Sequence, residues 1–300
     1  MKSYGDYISK IFPDFKVQKI SIDAGFSCPN RDGTISTGGC IYCRNDSFSP
    51  SYCKSSISVA DQLEEGKKFF SRKYPEMKFL AYFQSYTGTY NKSVEELSRL
   101  YQEAIKVKDV VGLVIATRPD SVSDDVLKLL NDINKEFPVF MEIGAETSND
   151  ATLKLINRNH KWADVESAII RISNNNLHCG IHLIAGLPGE SRDMILQTID
   201  KTVALPIETI KLHQLQILYG TPLYEKITKK ELNVEVFELE DYLDLCVEIV
   251  KRVPENIIIE RFLSQSPPEL VYAPSWGLKN YQFMTKLAHK IKLSSISCSQ

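Results

Sequence analysis

VVGLVIATRPDSVSDDVLKLLNDINKEFPVFMEIGAE, residues 110–146, carries the reading that decides the fold. It opens on an apolar, β-branched run at 110–117 and closes on a second such run at 138–146. Short apolar runs bounded by Gly, Pro or polar residues read as buried strands. Between them Ser123 precedes Asp124 and Asp125, an N-cap followed by first-turn acids, and leads into a helical pattern over 123–137. Two such strands joined by a helix form a parallel pair with the helix outside.

The same alternation extends in both directions. FLAYFQS (79–85), LHCGIHLIAG (177–186) and IETIKLHQLQIL (207–218) read as strands, and 94–106, 163–175 and 191–205 as helices. An earlier strand, FKVQKISI (15–22), precedes a helix over 59–74, making about six β–α repeats. Either a doubly wound sheet or a barrel satisfies this pattern. A barrel is favoured because no dinucleotide fingerprint opens the first unit. The expected fold is therefore α/β, a partial parallel (β/α)6-type TIM barrel over residues 1–265. A helix near 238–252 and a strand at 257–262 close it, and 266–300 form a C-terminal extension packed on the same domain.

Composition bounds the class. The 300 residues are 43% hydrophobic and 25% charged, with mean hydropathy −0.19, ordinary values for a globular chain. No run approaches the roughly 20 apolar residues of a membrane helix, and MKSYGDYISKIFPDF lacks a signal-peptide apolar region. A cytoplasmic protein with no membrane partner is expected, where disulfides are rare. The net charge of −2 does not advertise nucleic-acid binding. Lys279, Lys286, Lys290 and Lys292 follow the last acidic residue, Glu269, and serve either as a solvated helix face or as phosphate contacts.

Three of the seven cysteines, Cys28, Cys40 and Cys43, fall in CPNRDGTISTGGCIYC (28–43). Its glycines and proline suit a loop. A structural zinc site usually takes four ligands on two knuckles; here there is one Cys–x2–Cys, and Cys53 lies in a Ser-rich stretch. An iron–sulfur cluster on three cysteines fits better and leaves one iron open. The loop follows the first strand, and QSYTG (84–88), TRPD (117–120), GAET (144–147) and GLPGES (186–191) follow later ones. In a parallel barrel all of these reach one rim, where chemistry sits.

Those segments, the fourth taken as EIGAET (142–147), with Tyr42 before the last cysteine, NRNH (157–160) and YGTPLYE (219–225), resemble the radical S-adenosylmethionine (SAM) superfamily. They are most similar to the stand-alone bacterial group related to the radical SAM domain of the Elongator catalytic subunit, in the same order over residues 15–262. The usual Cys–x3–Cys–x2–Cys spacing is departed from: eleven residues separate Cys28 from Cys40, as is familiar in that branch. The resemblance implies a [4Fe–4S] cluster on Cys28, Cys40 and Cys43. It implies SAM chelated at the open iron and cleaved reductively to a 5′-deoxyadenosyl radical. It places Gln84, Ser85 and Tyr86 at the methionine moiety, and Glu146 and Arg158 at the ribose and carboxylate. His182 stands where some relatives carry an acidic ribose-binding residue; a hydroxyl partner and a core histidine are both open readings. Ala116 stands where relatives often carry an acid.

No catalytic acid or base is named. Lys211 and His213 share one strand face and Gln214 and Gln216 the other, with the lumen-facing pair undecided. Arg261 and SPPELVYAPSWG (266–277) either cover the mouth or form a loop packed by Trp276. The resemblance implies tRNA modification at the wobble-uridine C5 side chain, carboxymethylaminomethyl to aminomethyl, with tRNA as partner and flavodoxin or ferredoxin as reductant. The alternatives are a radical SAM oxidoreductase on a small molecule such as a tetrapyrrole precursor, or a non-catalytic metal-binding scaffold.

Overall fold

The computed structural model describes residues 2–71 and 76–297; the expected helix end at 72–74 and Cys298 lie outside the described residues. A helix α1 (Tyr4–Ile11) comes first. Then follow β1 (Val17–Ile22), α2 (Val59–Ser71), β2 (Lys78–Phe83), α3 (Val94–Ile105), β3 (Val110–Thr117), α4 (Asp124–Asn134) and β4 (Val139–Glu146). Next come α5 (Asp150–Leu155), α6 (Trp162–Asn174), β5 (His178–Ala185), α7 (Arg192–Val203) and β6 (Thr209–Gln214). The chain ends with β7 (Ile217–Leu218), α8 (Pro222–Thr228), α9 (Leu239–Arg252), β8 (Ile258–Arg261), β9 (Val271–Ala273) and α10 (Asn280–Ser297).

Seven strands form one parallel sheet in the order β1-β2-β3-β4-β5-β6-β8. The sheet curls into a half-barrel, the favoured one of the two architectures that the alternation allows. Ser93 and Ser123 cap α3 and α4 by accepting from Glu96 N and Val126 N, each such cap contributing about 1 kcal/mol.

Alternation sorts the strand residues onto two faces. Outward residues such as Ile20, Phe83, Leu113, Met141, Ile181 and Ile210 pack under the helices in the main core. Inward residues are mostly apolar at the N-terminal end and mixed further up, where Ala116 and Ile184 line the cavity beside charged groups. At the N-terminal end Ile8 of α1 and Phe12, which caps its C-terminal end, pack on Leu80, Tyr82, Val114 and Phe140. The sequence reading contained no α1; it is an amphipathic plug, capped by Ser3 in a reciprocal box with Asp6.

Above the plug the lumen is charged. Lys19 on β1 and Glu260 on β8 sit on the two edges of the sheet, yet their side chains meet at 3.0 Å. This ion pair bridges the seam a half-barrel leaves open. Buried ion pairs contribute little net stability but are costly to break from one side.

The run 207–218, read as one strand, is two. β6 ends at Gln214, whose Oε1 accepts from Ser264 N at 2.6 Å, and Leu215 N donates to Ala185 O. Its neighbour β8 ends at Arg261, so the sheet offers no further partner; β7 pairs antiparallel with β9 instead. The extension packs back through Trp276, which stacks on Phe283 and lies against Tyr242. Lys290 of α10 bridges Glu240 and Asp244.

Lys19→Met should lower the unfolding free energy by about 3 kcal/mol in urea denaturation of anaerobically prepared protein. A loss below about 1 kcal/mol would reduce the seam pair to the strength of a surface ion pair.

Candidate active site at the strand ends

A cavity of about 270 Å³ opens at the C-terminal ends of the strands, lined by Cys28, Cys40 and Cys43 among others. The cysteine loop is held by its own backbone. Arg31 N and Asp32 N donate to Cys28 O, Gly39 N to Asn30 O, and Cys43 N to Cys40 O. Fully buried Asn30 pins it to the segment after α5, its Nδ2 donating to Asn157 O at 2.6 Å and to Arg158 O at 3.0 Å.

Two N–H groups also approach the Cys40 sulfur, Asn30 Nδ2 at 3.5 Å and Arg158 Nη1 at 3.8 Å. Burial pushes the Cys43 thiol up to about 11, with Cys40 adding to it and Arg31 opposing. Among the described residues no three His, Cys, Asp or Glu side chains gather closely enough for a single metal ion. Three soft thiols lining one cavity, with N–H donors already aimed at one sulfur, fit a sulfur-ligated cluster. Cys53 stands apart, its thiol donating to Ser21 O at 2.9 Å.

The fold brings the other sequence candidates to the same cavity with one exception. Gln84 and Tyr86 line it, while buried Ser85 does not. Gln84 Oε1 accepts from Ser21 Oγ, and Tyr86 takes a left-handed φ of 58° with its N–H on Asn45 Oδ1. Glu146 and Arg158 meet at 3.2 Å, both largely buried. Arg158 Nη2 also donates to Gly144 O at 2.5 Å, and its Nε to His160 Nε2 at 3.1 Å. A Cβ at Gly144 would lie 2.6 Å from Arg158 Nη2, so any larger residue there would displace the guanidinium from its present position.

The cavity floor is ionic. Glu142 accepts from Lys19 at 2.6 Å on one oxygen; on the other it accepts from Lys211 at 2.7 Å and Tyr82 at 2.5 Å, with His182 at 2.8 Å. Burial opposes ionisation of Glu142, but Lys19 and Lys211 hold it well below the usual carboxylate range. Burial pushes Lys211 down to about 8 against the pull of Glu142 and Glu260. It also lowers His182 and His213, so both imidazoles are neutral. The lumen-facing pair on β6 is therefore Lys211 and His213; Gln214 and Gln216 still reach the cavity because β6 ends there.

Sequence reasoning missed Asn30, Lys19, Glu142, Glu260 and Arg118. The first sits in a loop with no local signal. Lys19, Glu142 and Lys211 interrupt apolar strand runs at positions of inward parity, a visible sign of a charged lumen. Arg118 lines the cavity yet is only 2% exposed; it forks onto Asp120 at 2.8 and 2.6 Å, and its buried Nη1 has no partner among the described residues.

Residues 32–202 match the family model of the radical SAM superfamily, and 207–292 that of the radical SAM C-terminal domain. The chain is similar to protein YhcC of Escherichia coli K12, 36% identical over 91% of this chain and 86% of that protein. It is similar to a tRNA uridine(34) acetyltransferase of Methanocaldococcus infernus, 26% identical over 61% of this chain but 36% of that enzyme. Among solved structures, Elp3 of M. infernus superposes with a TM-score of 0.66 at 17% identity, over 94% of this chain and 64% of that one. That last likeness is one of fold.

Burial, then Arg158 and Arg118, hold His160 down to about 3. Its folded pKa lies below the unfolded one, so the stability it contributes is full above about pH 6.5 and lost as pH falls towards 3. His160→Gln should remove about 2 kcal/mol of the loss between pH 6.5 and 5, read from urea midpoints. An unchanged slope would mean the imidazole titrates normally.

Proposed function

This chain belongs to the radical SAM superfamily, and from that premise we propose that it modifies the C5 side chain of the tRNA wobble uridine, carboxymethylaminomethyl to aminomethyl. Its cofactors are a [4Fe–4S] cluster and SAM. Together, when bound, these supply one-electron chemistry and a hydrogen-abstracting radical. Cys28, Cys40 and Cys43 hold the cluster in this reading, and the N–H groups of Asn30 and Arg158 orient the Cys40 thiolate. Gln84, Tyr86, Glu146, Arg158 and His182 line the space left for SAM, and Ser85 supports that strand end from behind. The α1 plug and the ion network close the opposite end of the lumen.

One observation carries the RNA reading: exposed aromatics line the cavity beside Arg31 and Arg44, and Arg44 joins them to an exposed tyrosine cluster. Phe48 and Tyr86 are 40% and 39% exposed, and Tyr219 and Tyr272 are 42% and 44% exposed. Tyr219, Tyr224 and Tyr272 form a mutual ring cluster with centroids 5.1–5.7 Å apart. The Arg31 guanidinium lies 5.7 Å from the Tyr86 ring, and Arg44 Nη1 donates to Tyr219 O at 2.6 Å. Unpaired loop bases stack on such faces, and guanidinium groups serve their phosphates. The relative named for tRNA uridine(34) supports the same substrate class. The basic tail adds less, since Lys290 is committed to α9.

Protein reconstituted with iron and sulfide under nitrogen should give a reduced [4Fe–4S] EPR signal that SAM perturbs and Cys40→Ala abolishes. Stoichiometric zinc, or a cluster indifferent to SAM, would remove the cofactor assignment. Tyr219→Ala and Tyr272→Ala should each weaken tRNA binding by about tenfold without altering that signal. Unchanged affinity, or an unchanged wobble-uridine profile in a deletion strain, would sink the RNA reading.

A further inference from the structure

The charges of the lumen do not balance. Lys19, Lys211 and Arg261 are cationic there; Glu142 and Glu260 are the carboxylates that face them. Tyr4 and Tyr82 stay protonated, since burial raises both phenols, and the two imidazoles are neutral. Three positive charges against two negative leave an excess of one.

That excess falls on Arg261. Both oxygens of Glu142 are engaged, and Glu260 is held by Lys19 at 3.0 Å and Lys211 at 3.5 Å. Among the described residues the Arg261 side chain makes no hydrogen bond and no ion pair within 4 Å, although it lines the cavity; Glu260, next to it in sequence, feels its charge only at longer range. The strand register sets it opposite Lys211, another cation, an arrangement that is unfavourable without a counter-charge. His213 lines the same cavity, its Nδ1 at 2.9 Å from Ser264 Oγ. An uncompensated cation in a partly buried, low-dielectric pocket is stabilised by an incoming anion of one charge.

We infer that Arg261, with His213 beside it, binds the carboxylate of a substrate side chain that enters the half-barrel. A planar carboxylate meets the guanidinium fork in a bidentate pair, and its negative charge supplies the counter-ion at Arg261. The inference rests on the proposed function insofar as the occupant is the substrate of the same cavity; a carboxymethyl group on the uridine side chain has this chemistry. Arg261 is then a specificity residue, selecting acid over ester or amide.

The test compares reconstituted wild-type protein with Arg261→Gln under nitrogen. Five probes are used: propionate, dimethyl phosphate, 5-carboxymethylaminomethyluridine, its methyl ester, and SAM. Without probe the variant should melt no lower than wild type, because an unpaired charge has been removed. Propionate should raise the melting temperature of wild type but not of the variant. The nucleoside acid should lose about ten- to a hundredfold in affinity in the variant, its ester should bind both proteins weakly, and SAM should bind both alike. A variant that melts lower with unchanged propionate response would make Arg261 structural and overturn the inference. Loss of SAM affinity would assign the guanidinium to the cofactor and overturn it as well. Stabilisation by dimethyl phosphate equal to or above that by propionate would make the occupant a phosphodiester, and the carboxylate site would fall. Discrimination of propionate without any binding of the nucleoside would leave the carboxylate site standing and the uridine reading fallen.

Discussion

Glu142 stands at the centre of the half-barrel with two lysines, a tyrosine and a histidine on its carboxylate. Through Lys19, Tyr82, His182, Lys211 and Glu260 the network draws on β1, β2, β5, β6 and β8 as well as on β4 itself. Only β3 contributes no charge or hydroxyl, offering Val114 and Ala116 to the apolar plug. Such a cluster adds little to net stability, because desolvating the ions costs about what their attraction returns. Its contribution is geometric. The carboxylate is satisfied only when the strands curve enough to bring the side chains together, and the Lys19–Glu260 pair is made only if the two edges face each other.

The site inherits that geometry. Curvature brings the ends of β2, β4, β5 and β6 around one cavity, and the loop after β1 folds across them. Arg158 ties this rim together, reaching Glu146, Gly144 O, His160 and the Cys40 sulfur. The guanidinium can lie this close to the strand because position 144 has no Cβ to hold it away. A largely buried arginine with that many partners has little freedom, which suits a group that must present a fixed face to a cofactor.

Legibility followed periodicity. The β–α alternation is written in apolar runs and N-caps, so the sheet and its outer helices were readable within a few residues. Elements below that threshold were not. The α1 helix is short and its apolar face is legible only once the lumen it fills is known. α5 and α8 are single turns or little more, set by Asn149 and Thr221 caps inside segments that read as motifs. The break after Gln214 depends on where β8 ends, which is a property of a distant segment. Of the candidate residues, three cysteines, Gln84, Tyr86, Glu146, Arg158 and His182 gather on one cavity; Ser85, in the turn after β2, is buried and does not line it.

The amino-acid sequence by itself determined that strands and helices alternate, that the cysteine loop follows the first strand, and that the polar strand-end segments share a rim. These depend on local pattern, which a chain carries in its own order. The tertiary structure alone decided which charges pair in the lumen, that Asn30 and Arg158 reach Cys40, and that the Arg261 side chain makes no ion pair among the described residues. Those are contacts between residues up to 241 positions apart, and no local pattern encodes a distance across a curled sheet. Electrostatic balance belongs to the same class, because a charge is paired or unpaired only with respect to neighbours that folding supplies.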